Sequence, residues 1–363
     1  MPPSERAIHF YYDYCNLGGV TSILKQRIAL MRRRGVQAAV VLHFLRDLGG
    51  RPDLDALDGV TLRFCPDDRF HPWCAETVAA APGALHVLLD QPEVVALLGD
   101  GAPGVVYEVH TSLEQAFRRM RGVGFAGVQR ILCPSAWLKR KLAEVLVDYP
   151  AERIRVCPNF VDPDLFRPLP PGPDAAGEPI LLWIGKLNPD KNLGDALEVM
   201  RRLRRRAAFR PVIVTGGGAE RPAVIALLSR LEALGLAEKA RWITNLSNAA
   251  MPALLADVRA SGGALLSTSK FESFGLAVLE AMSCGVPPVC AAVGGLQELV
   301  RDGTDGYLYP LTRPELAVKH LAGLLADRTR QARMGEAAIH GASRFAADAA
   351  IETYMRELLG SRT

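Results

Sequence analysis

Ser267-Thr-Ser-Lys270-Phe-Glu272-Ser-Phe-Gly275-Leu-Ala-Val-Leu-Glu280-Ala-Met-Ser-Cys-Gly285-Val-Pro287 is the stretch whose reading decides the fold. It follows a short apolar run, Ala264-Leu-Leu266, which reads as a buried strand. Ser273 has the side chain of an N-cap, and Phe274 to Ser283 carries apolar residues at helical spacing until Cys284-Gly285 stops it. This places Glu272 in the loop at the strand's C-terminal end and Glu280 about two turns further along the chain, on the helix. The N–H groups of Phe274, Gly275 and Leu276 then point out of the helix N-terminus, where orphan donors and the helix dipole favour an anion. Gly275 lets a ligand approach the backbone closely. Two carboxylates beside such a site do not hold the anion itself; they suit hydroxyl groups attached to it. A phosphate carrying polyhydroxylated rings is a sugar nucleotide.

Glu272 and Glu280 form a Glu-x7-Glu pair inside F-E-S-F-G-L-A-V-L-E-A-M-S-C-G-V-P. Any Glu-rich helix can produce the bare spacing, and a capped surface helix with two solvated acids is the bland alternative. The surrounding Phe-Gly, Ala-Met-x-x-Gly and Pro make the match specific. The stretch resembles the signature of the retaining glycosyltransferases of family 4. That resemblance implies an α/β protein of the GT-B fold, with two Rossmann-like domains facing across a cleft and a C-terminal helix crossing back to the first domain.

Length and composition agree with such a chain. Its 363 residues suggest two domains, and 49% hydrophobic with 23% charged residues is ordinary globular composition. A net charge of +4 is too mild for a dedicated nucleic-acid binder and suits an anionic donor. The seven cysteines contain no Cys-x-x-Cys pair and are odd in number, a pattern of reduced thiols in a cytoplasmic protein rather than of disulfides or zinc. The N-terminus enters a strand almost at once without a signal-peptide pattern. The longest weakly polar stretch, 281–296, is broken by Pro287-Pro288 and Gly294-Gly295, so no transmembrane helix is expected.

In the N-terminal half, Ala7 to Tyr12 reads as a strand, Asn16 to Val20 as a turn carrying Gly18-Gly19, and Thr21 to Arg34 as an amphipathic helix. The glycines line a helix N-terminus that can approach a phosphate, although a plain tight turn would use the same residues. Residues 37–42, 61–64, 85–89 and 105–109 read as further strands alternating with helices, the pattern of a parallel sheet. His110 follows the last of these at a strand's C-terminal edge, where open α/β sheets bind ligands; His9, His43, His71, His86, His320 and His340 carry no such signal. The resemblance implies that His110 lies near the donor sugar and that Gly18 and Gly19 face the donor phosphates. Residues 128–133 followed by Pro134-Ser135 and the helix from Ala136 resemble the family's next strand–Ser–helix unit. Ile154 to Asp162 resembles its I-x-V-x-x-N-G-V-D segment, with Phe160 where glycine is usual. Arg118, Arg119, Arg121, Arg130, Lys139, Arg140 and Lys141, near Phe117 and Phe125, form a locally basic region. Such a run suits an anionic membrane or a phosphorylated acceptor, but is more often a solvated helix face.

Pro168 to Pro179 is the strongest punctuation in the chain and reads as an interdomain linker. It divides residues 1–168, an acceptor-binding domain, from 180–344, a nucleotide-sugar-binding domain, with 169–179 as linker and 345–363 as the returning C-terminal helix. Ile180 to Ile184 is a strand. Lys186 and Lys191 lie in the loop after it and supply positive charge for a diphosphate. The family motif there is G-R-L followed by K-G; this chain has Lys186 for Arg, losing the planar fork, and Asn192 for Gly. Pro211 to Gly218 is a strand ending in a glycine-rich loop with Gly216 at its start, which the resemblance assigns to the nucleotide pocket together with Trp242 to Thr244. Asn245 stands where the family often has glycine. Ala292 to Glu298 resembles the family's G-G-x-x-E turn.

The resemblance implies transfer of a sugar from a nucleotide-diphosphate donor, a UDP-sugar being commonest, with retained configuration. The acceptor would be a small molecule, a saccharide or a lipid, and the place of action the cytoplasm or the inner face of a membrane, with peripheral contact to it. Glu272 and His110 would hold the donor sugar, Glu280 the ribose, and Lys186, Lys191 and the Phe274–Leu276 donors the diphosphate. No carboxylate-rich metal site is evident, so no metal cofactor is expected. A sugar-nucleotide epimerase of the same fold and a non-catalytic nucleotide-sugar-binding protein are the alternatives.

Overall fold

The computed structural model describes residues 7–16, 18–101, 104–111, 114–216 and 221–360. Leu17 of the Gly-Gly turn, Leu113 and the Gly217-Gly218 part of the glycine-rich loop lie outside the described residues. The chain forms two compact units, one of Met1–Asn159 with Asp348–Thr363 and one of Phe160–Ala347.

The first unit is a seven-stranded sheet of β1 (Ile8–Cys15), β2 (Val40–Asp47), β3 (Val60–Phe64), β4 (Leu85–Leu89), β5 (Val105–Glu108), β6 (Arg130–Cys133) and β7 (Ile154–Val156). Their order is β3-β2-β1-β4-β5-β6-β7, and every pairing is parallel. Parallel strands require crossovers, and the intervening helices cover both faces. The second unit holds a six-stranded sheet of β8 (Ile180–Ile184), β9 (Arg210–Thr215), β10 (Arg241–Thr244), β11 (Ala264–Ser267), β12 (Pro288–Ala291) and β13 (Tyr307–Tyr309), ordered β10-β9-β8-β11-β12-β13 and again parallel throughout. Alternation within β8 shows how both faces fill: Ile180 and Leu182 join the core that contains Leu255, Leu265 and Leu279, whereas Leu181 and Trp183 join the one that contains Leu197, Leu203 and Ile213.

β12 lies in a stretch that gives no strand signal, because Pro287-Pro288 looks like a break. Pro288 is its first residue, a position where the missing N–H is tolerated. The Pro-rich run belongs to the second unit: Gly172 N–H donates to Asp257 Oδ1 at 2.7 Å, and Arg210 donates to the Ala176 carbonyl at 3.0 Å. The chain passes between units earlier, after Asn159, since Val161 and Phe166 already pack in the second unit's core. Phe117 and Phe125 are buried, so the aromatic part of the basic region is internal. Arg119 pairs with Glu93 at 2.6 Å, and Arg118 and Arg121 with Glu114. All seven cysteines are free thiols. Among the described residues no helix is long and apolar enough to cross a membrane.

Three histidines of the first unit meet inside it. His9 and His86 are register partners on β1 and β4, and His43 Nε2 lies 3.1 Å from His9 Nδ1. His86 Nε2–H donates to the Ala81 carbonyl, so its Nδ1 accepts from the Tyr11 hydroxyl at 2.9 Å. Burial, and then the neighbouring imidazoles, push His43 down to about 3 and His9 down to about 4. A histidine whose folded value is depressed stabilises above its unfolded value, near 6.5, and that stability is lost as pH falls toward the folded value. Thermal unfolding followed against pH should therefore show the midpoint falling between pH 6.5 and 4. His43→Phe should flatten this fall by removing a dependence worth on the order of 3–5 kcal/mol; equal slopes for the two proteins would contradict this account.

Candidate active site

Sheet winding in the second unit reverses between β8 and β11: the chain leaves β8 toward β9 on one side and continues from β11 to β12 on the other. Loops after two such strands diverge and leave a crevice at their C-terminal ends. Here the loops are joined. Lys270 N–H donates to the Asp190 carbonyl at 2.8 Å. The buried Thr268 hydroxyl accepts from Trp183 Nε1–H at 3.2 Å and faces the carbonyls of Lys191 and Asn192 at 3.1 and 2.9 Å. With the backbones fixed, Lys191 Nζ reaches Glu272 Oε2 at 2.6 Å, and Ser269 Oγ donates to the same oxygen at 3.3 Å. Lys186 is exposed at the edge, yet partial desolvation of its ammonium and the like charge of Lys191 lower its pKa. Two lysines close enough to repel one another offer a place for an anion.

Helix Leu276–Ser283 begins later than the apolar pattern suggests. Gly275, at φ 103°, holds the capping position in place of Ser273, and its carbonyl accepts from Val278 and Leu279. The leading N–H groups are therefore those of Leu276 and Ala277, and Phe274 is a core residue set edge-on to Phe345 at 5.2 Å. The cause lies in the Gly294-Gly295 pair. Gly295 N–H donates to the Glu272 carbonyl at 2.9 Å, and a Cβ on Gly294 or Gly295 would come within 2.0 Å of Glu272 O or 2.4 Å of Ser273 O. The backbone of 272–274 is committed to that packing and has no freedom to enter the helix. Asn192 and Asn245 both adopt φ 55°, the left-handed region that asparagine tolerates better than other residues bearing a Cβ.

Glu280, on the same helix, is 6% exposed. Its carboxyl is pushed up to about 8 by burial, and no cation faces it among the described residues. Gly216 is exposed at the end of β9.

In the first unit, helix Gly19–Arg33 starts with Gly18 at the capping position, its N–H donating to Asn16 Oδ1 at 2.8 Å, and has no acidic residue in its first turn. His110 follows β5. Its N–H and that of Thr111 donate to Asp90 Oδ1 at 3.1 and 3.3 Å, and its Nε2 lies 3.0 Å from Glu108 Oε1. Glu108 is buried and also accepts from the Arg27 guanidinium and, on Oε2, from the Tyr354 hydroxyl at 3.1 Å. Arg27 in turn donates to Asn159 at 3.2 Å. Burial alone would raise the Glu108 carboxyl, but Arg27 and His110 outweigh it and hold it at about 2. Glu108 had one sequence signal, an acid inside an apolar strand, which is rare without a partner. Thr268 had none, since its contacts are to backbone far along the chain.

A family model described as Glycosyltransferase Family 4 matches residues 17–165, and one described as Glycosyl transferases group 1 matches residues 171–341. The chain belongs to the glycosyltransferases. Within that group it is 32% identical over 253 residues, 64% of this chain and 54% of the relative, to a D-inositol 3-phosphate glycosyltransferase of Nocardia farcinica. It is 31% identical over 209 residues, 53% of this chain and 52% of the relative, to a GDP-mannose-dependent alpha-(1-6)-phosphatidylinositol monomannoside mannosyltransferase of Mycolicibacterium smegmatis. The chain spans about half the length of the curated relatives it matches. HepE of Anabaena, solved with UDP and glucose, shares the fold at a TM-score of 0.80 and 18% identity, covering 98% of this chain and 99% of that one. The fold is that of the GT-B glycosyltransferases, with two Rossmann-like units.

The buried Glu280 carboxyl gives this glycosyltransferase a measurable signature. A carboxyl raised above its unfolded value stabilises fully below that value, near 4.5, and the contribution is lost as pH rises through about 8. Glu280→Gln should therefore gain stability relative to the parent as pH rises from 5 to 9, by roughly 3–5 kcal/mol at the alkaline end. A difference in unfolding free energy that stays constant over this range would show that Glu280 is ionised in the folded protein.

Proposed function

We propose that this chain is a retaining, metal-independent glycosyltransferase that moves a hexose-type sugar from a nucleotide-diphosphate donor to a hydroxyl acceptor. The observation that carries the reading is the Lys191–Glu272 pair beside Lys186, at the winding reversal of the second sheet and next to the helix tip at Leu276 and Ala277. A diphosphate competes with Glu272 for Lys191, and Glu272 is then released to accept hydrogen bonds from hydroxyls of the donor sugar. Glu280 takes the ribose hydroxyls, which supply its carboxyl with the donors it otherwise lacks. In the chemical step the bond from the anomeric carbon to the phosphate oxygen breaks and its electron pair stays on the diphosphate. The acceptor oxygen bonds to the same carbon from the same face, and its proton passes to the departing phosphate. Positive charge at Lys186, Lys191 and the helix tip stabilises the developing anion, a task a bound divalent cation performs in other enzymes. His110 positions the donor sugar.

A UDP-sugar is the first donor to test and GDP-mannose the second, since UDP and glucose accompany the Anabaena protein and the mycobacterial relative is GDP-mannose-dependent. The acceptor is a small metabolite, a saccharide or a lipid-linked sugar.

Thermal shift against a panel of sugar nucleotides should single out one donor, worth about 2.7 kcal/mol of stabilisation at a hundredfold excess over Kd. With that donor, transfer followed by mass spectrometry should persist in EDTA. Lys191→Ala should lower kcat on the order of a hundredfold, as loss of a charge-stabilising group does. A full transfer rate in Lys191→Ala, or complete loss of transfer in EDTA, would sink the corresponding part of the proposal.

A further inference from the structure

We propose that Glu108 is a positioning residue for the transfer reaction: held by Arg27 and Tyr354, it fixes the ring orientation and tautomer of His110. The proposal rests on the reading of His110 as a donor-sugar residue.

The geometry leaves the neutral His110 ring one tautomer. Glu108 Oε1 lies 3.0 Å from His110 Nε2, and an ionised carboxylate only accepts, so the imidazole must carry a proton on Nε2. In the neutral ring Nδ1, which has no hydrogen-bond partner among the described residues, then keeps its lone pair. Toward a sugar, the neutral ring is then an acceptor that takes a hydroxyl proton donor at Nδ1. The other tautomer would present an N–H there and repel the same hydroxyl hydrogen.

Glu108 can impose this only because it is itself immobile. Its side chain is 2% exposed, and both oxygens are occupied. Arg27 and His110 converge on Oε1, and the Tyr354 hydroxyl donates to Oε2. Arg27 is locked in turn by Asn159 at 3.2 Å and by the Tyr354 ring, whose centroid lies 4.0 Å from the guanidinium carbon. Helix Gly19–Arg33, through Arg27, and helix Ala347–Leu359, through Tyr354, thus both reach the carboxylate that β5 presents beside His110, while Asn159 holds Arg27 from the loop after β7. A purely structural buried pair has no need of the histidine, because Arg27 and Tyr354 already satisfy the carboxylate.

Two variants separate positioning from folding. Glu108→Gln keeps the shape but leaves Arg27 without its counter-charge and can cost the fold, so Tyr354→Phe, which removes a single hydrogen bond to Oε2, is measured beside it. Tyr354→Phe should lower kcat about fivefold, the worth of one hydrogen bond, with the Kd for the nucleoside diphosphate unchanged. Glu108→Gln, where it folds, should lower kcat on the order of a hundredfold, as a displaced catalytic group does, again without weakening the nucleoside diphosphate. Independently of activity, 15N NMR of labelled histidine should show His110 of the parent protein wholly as the Nε2–H form, and a mixture of tautomers in Glu108→Gln. An Nδ1–H form in the parent, or unchanged kcat in both variants while His110→Ala is impaired, overturns the positioning role alone. An unimpaired His110→Ala overturns the reading of His110 on which it rests.

Discussion

Two loops that leave a parallel sheet in opposite directions have no reason to meet, and in the second unit they meet because Thr268 holds them. Its hydroxyl is buried against the indole N–H of Trp183 and within hydrogen-bond distance of the carbonyls of Lys191 and Asn192, the latter also accepting from the N–H groups of Asp195 and Ala196. These contacts, with the Lys270 N–H to Asp190 carbonyl bond, fix where the backbone of Lys191 lies relative to that of Lys270 and Glu272. The ion pair between Lys191 and Glu272 follows from that placement. A half-exposed lysine–carboxylate pair contributes little to stability by itself. Its consequence is that a lysine and an acid of different loops stand within one hydrogen bond of each other.

Much of this was legible in the residue order, and the failures share a cause. Strands β4 and β8 are bounded as the apolar runs Leu85–Leu89 and Ile180–Ile184 predict, because burial on both faces writes a continuous apolar signal. Lys186, Lys191, Glu272 and Glu280 fall at strand ends or on the helix after one, as alternating strand and helix patterns require. Helix Leu276–Ser283 starts after Gly275 rather than at the Ser273 cap that the local pattern predicts, since nothing local announces that Gly294-Gly295 will press against that backbone from another loop. The same holds for β12, whose opening proline looks like a break until its place in the sheet is known. Asn192 and Asn245 stand where the family pattern implied by the resemblance has, or often has, glycine, and both have positive φ, so each keeps the backbone geometry that glycine permits. Phe160, by contrast, does not take a positive φ, and its side chain is buried.

Buried ionisable groups in this chain are accommodated in two opposite ways. In the first, Glu108 is ionised under all ordinary conditions because a guanidinium is buried with it, and such a pair is costly to break once one member is removed. In the second, Glu280 faces no cation among the described residues and resolves the same cost by keeping its proton. The histidines of β1, β2 and β4 follow the second course, staying neutral inside the sheet layer.

Because Tyr354 belongs to the unit that contains Arg27 and Glu108, that unit is assembled from segments on both sides of the second unit in sequence. A ribosome delivers β1 to β7 first and helix Ala347–Leu359 only after the whole of the second unit has been made. Vectorial folding can therefore complete the later-made unit before the earlier one, whose guanidinium–carboxylate pair lacks its tyrosine cover until helix Ala347–Leu359 has been made. Nascent chains stalled before residue 347 would carry all seven strands of the first sheet without the helix that covers Arg27 and Glu108, and the apolar seat of that helix would be exposed.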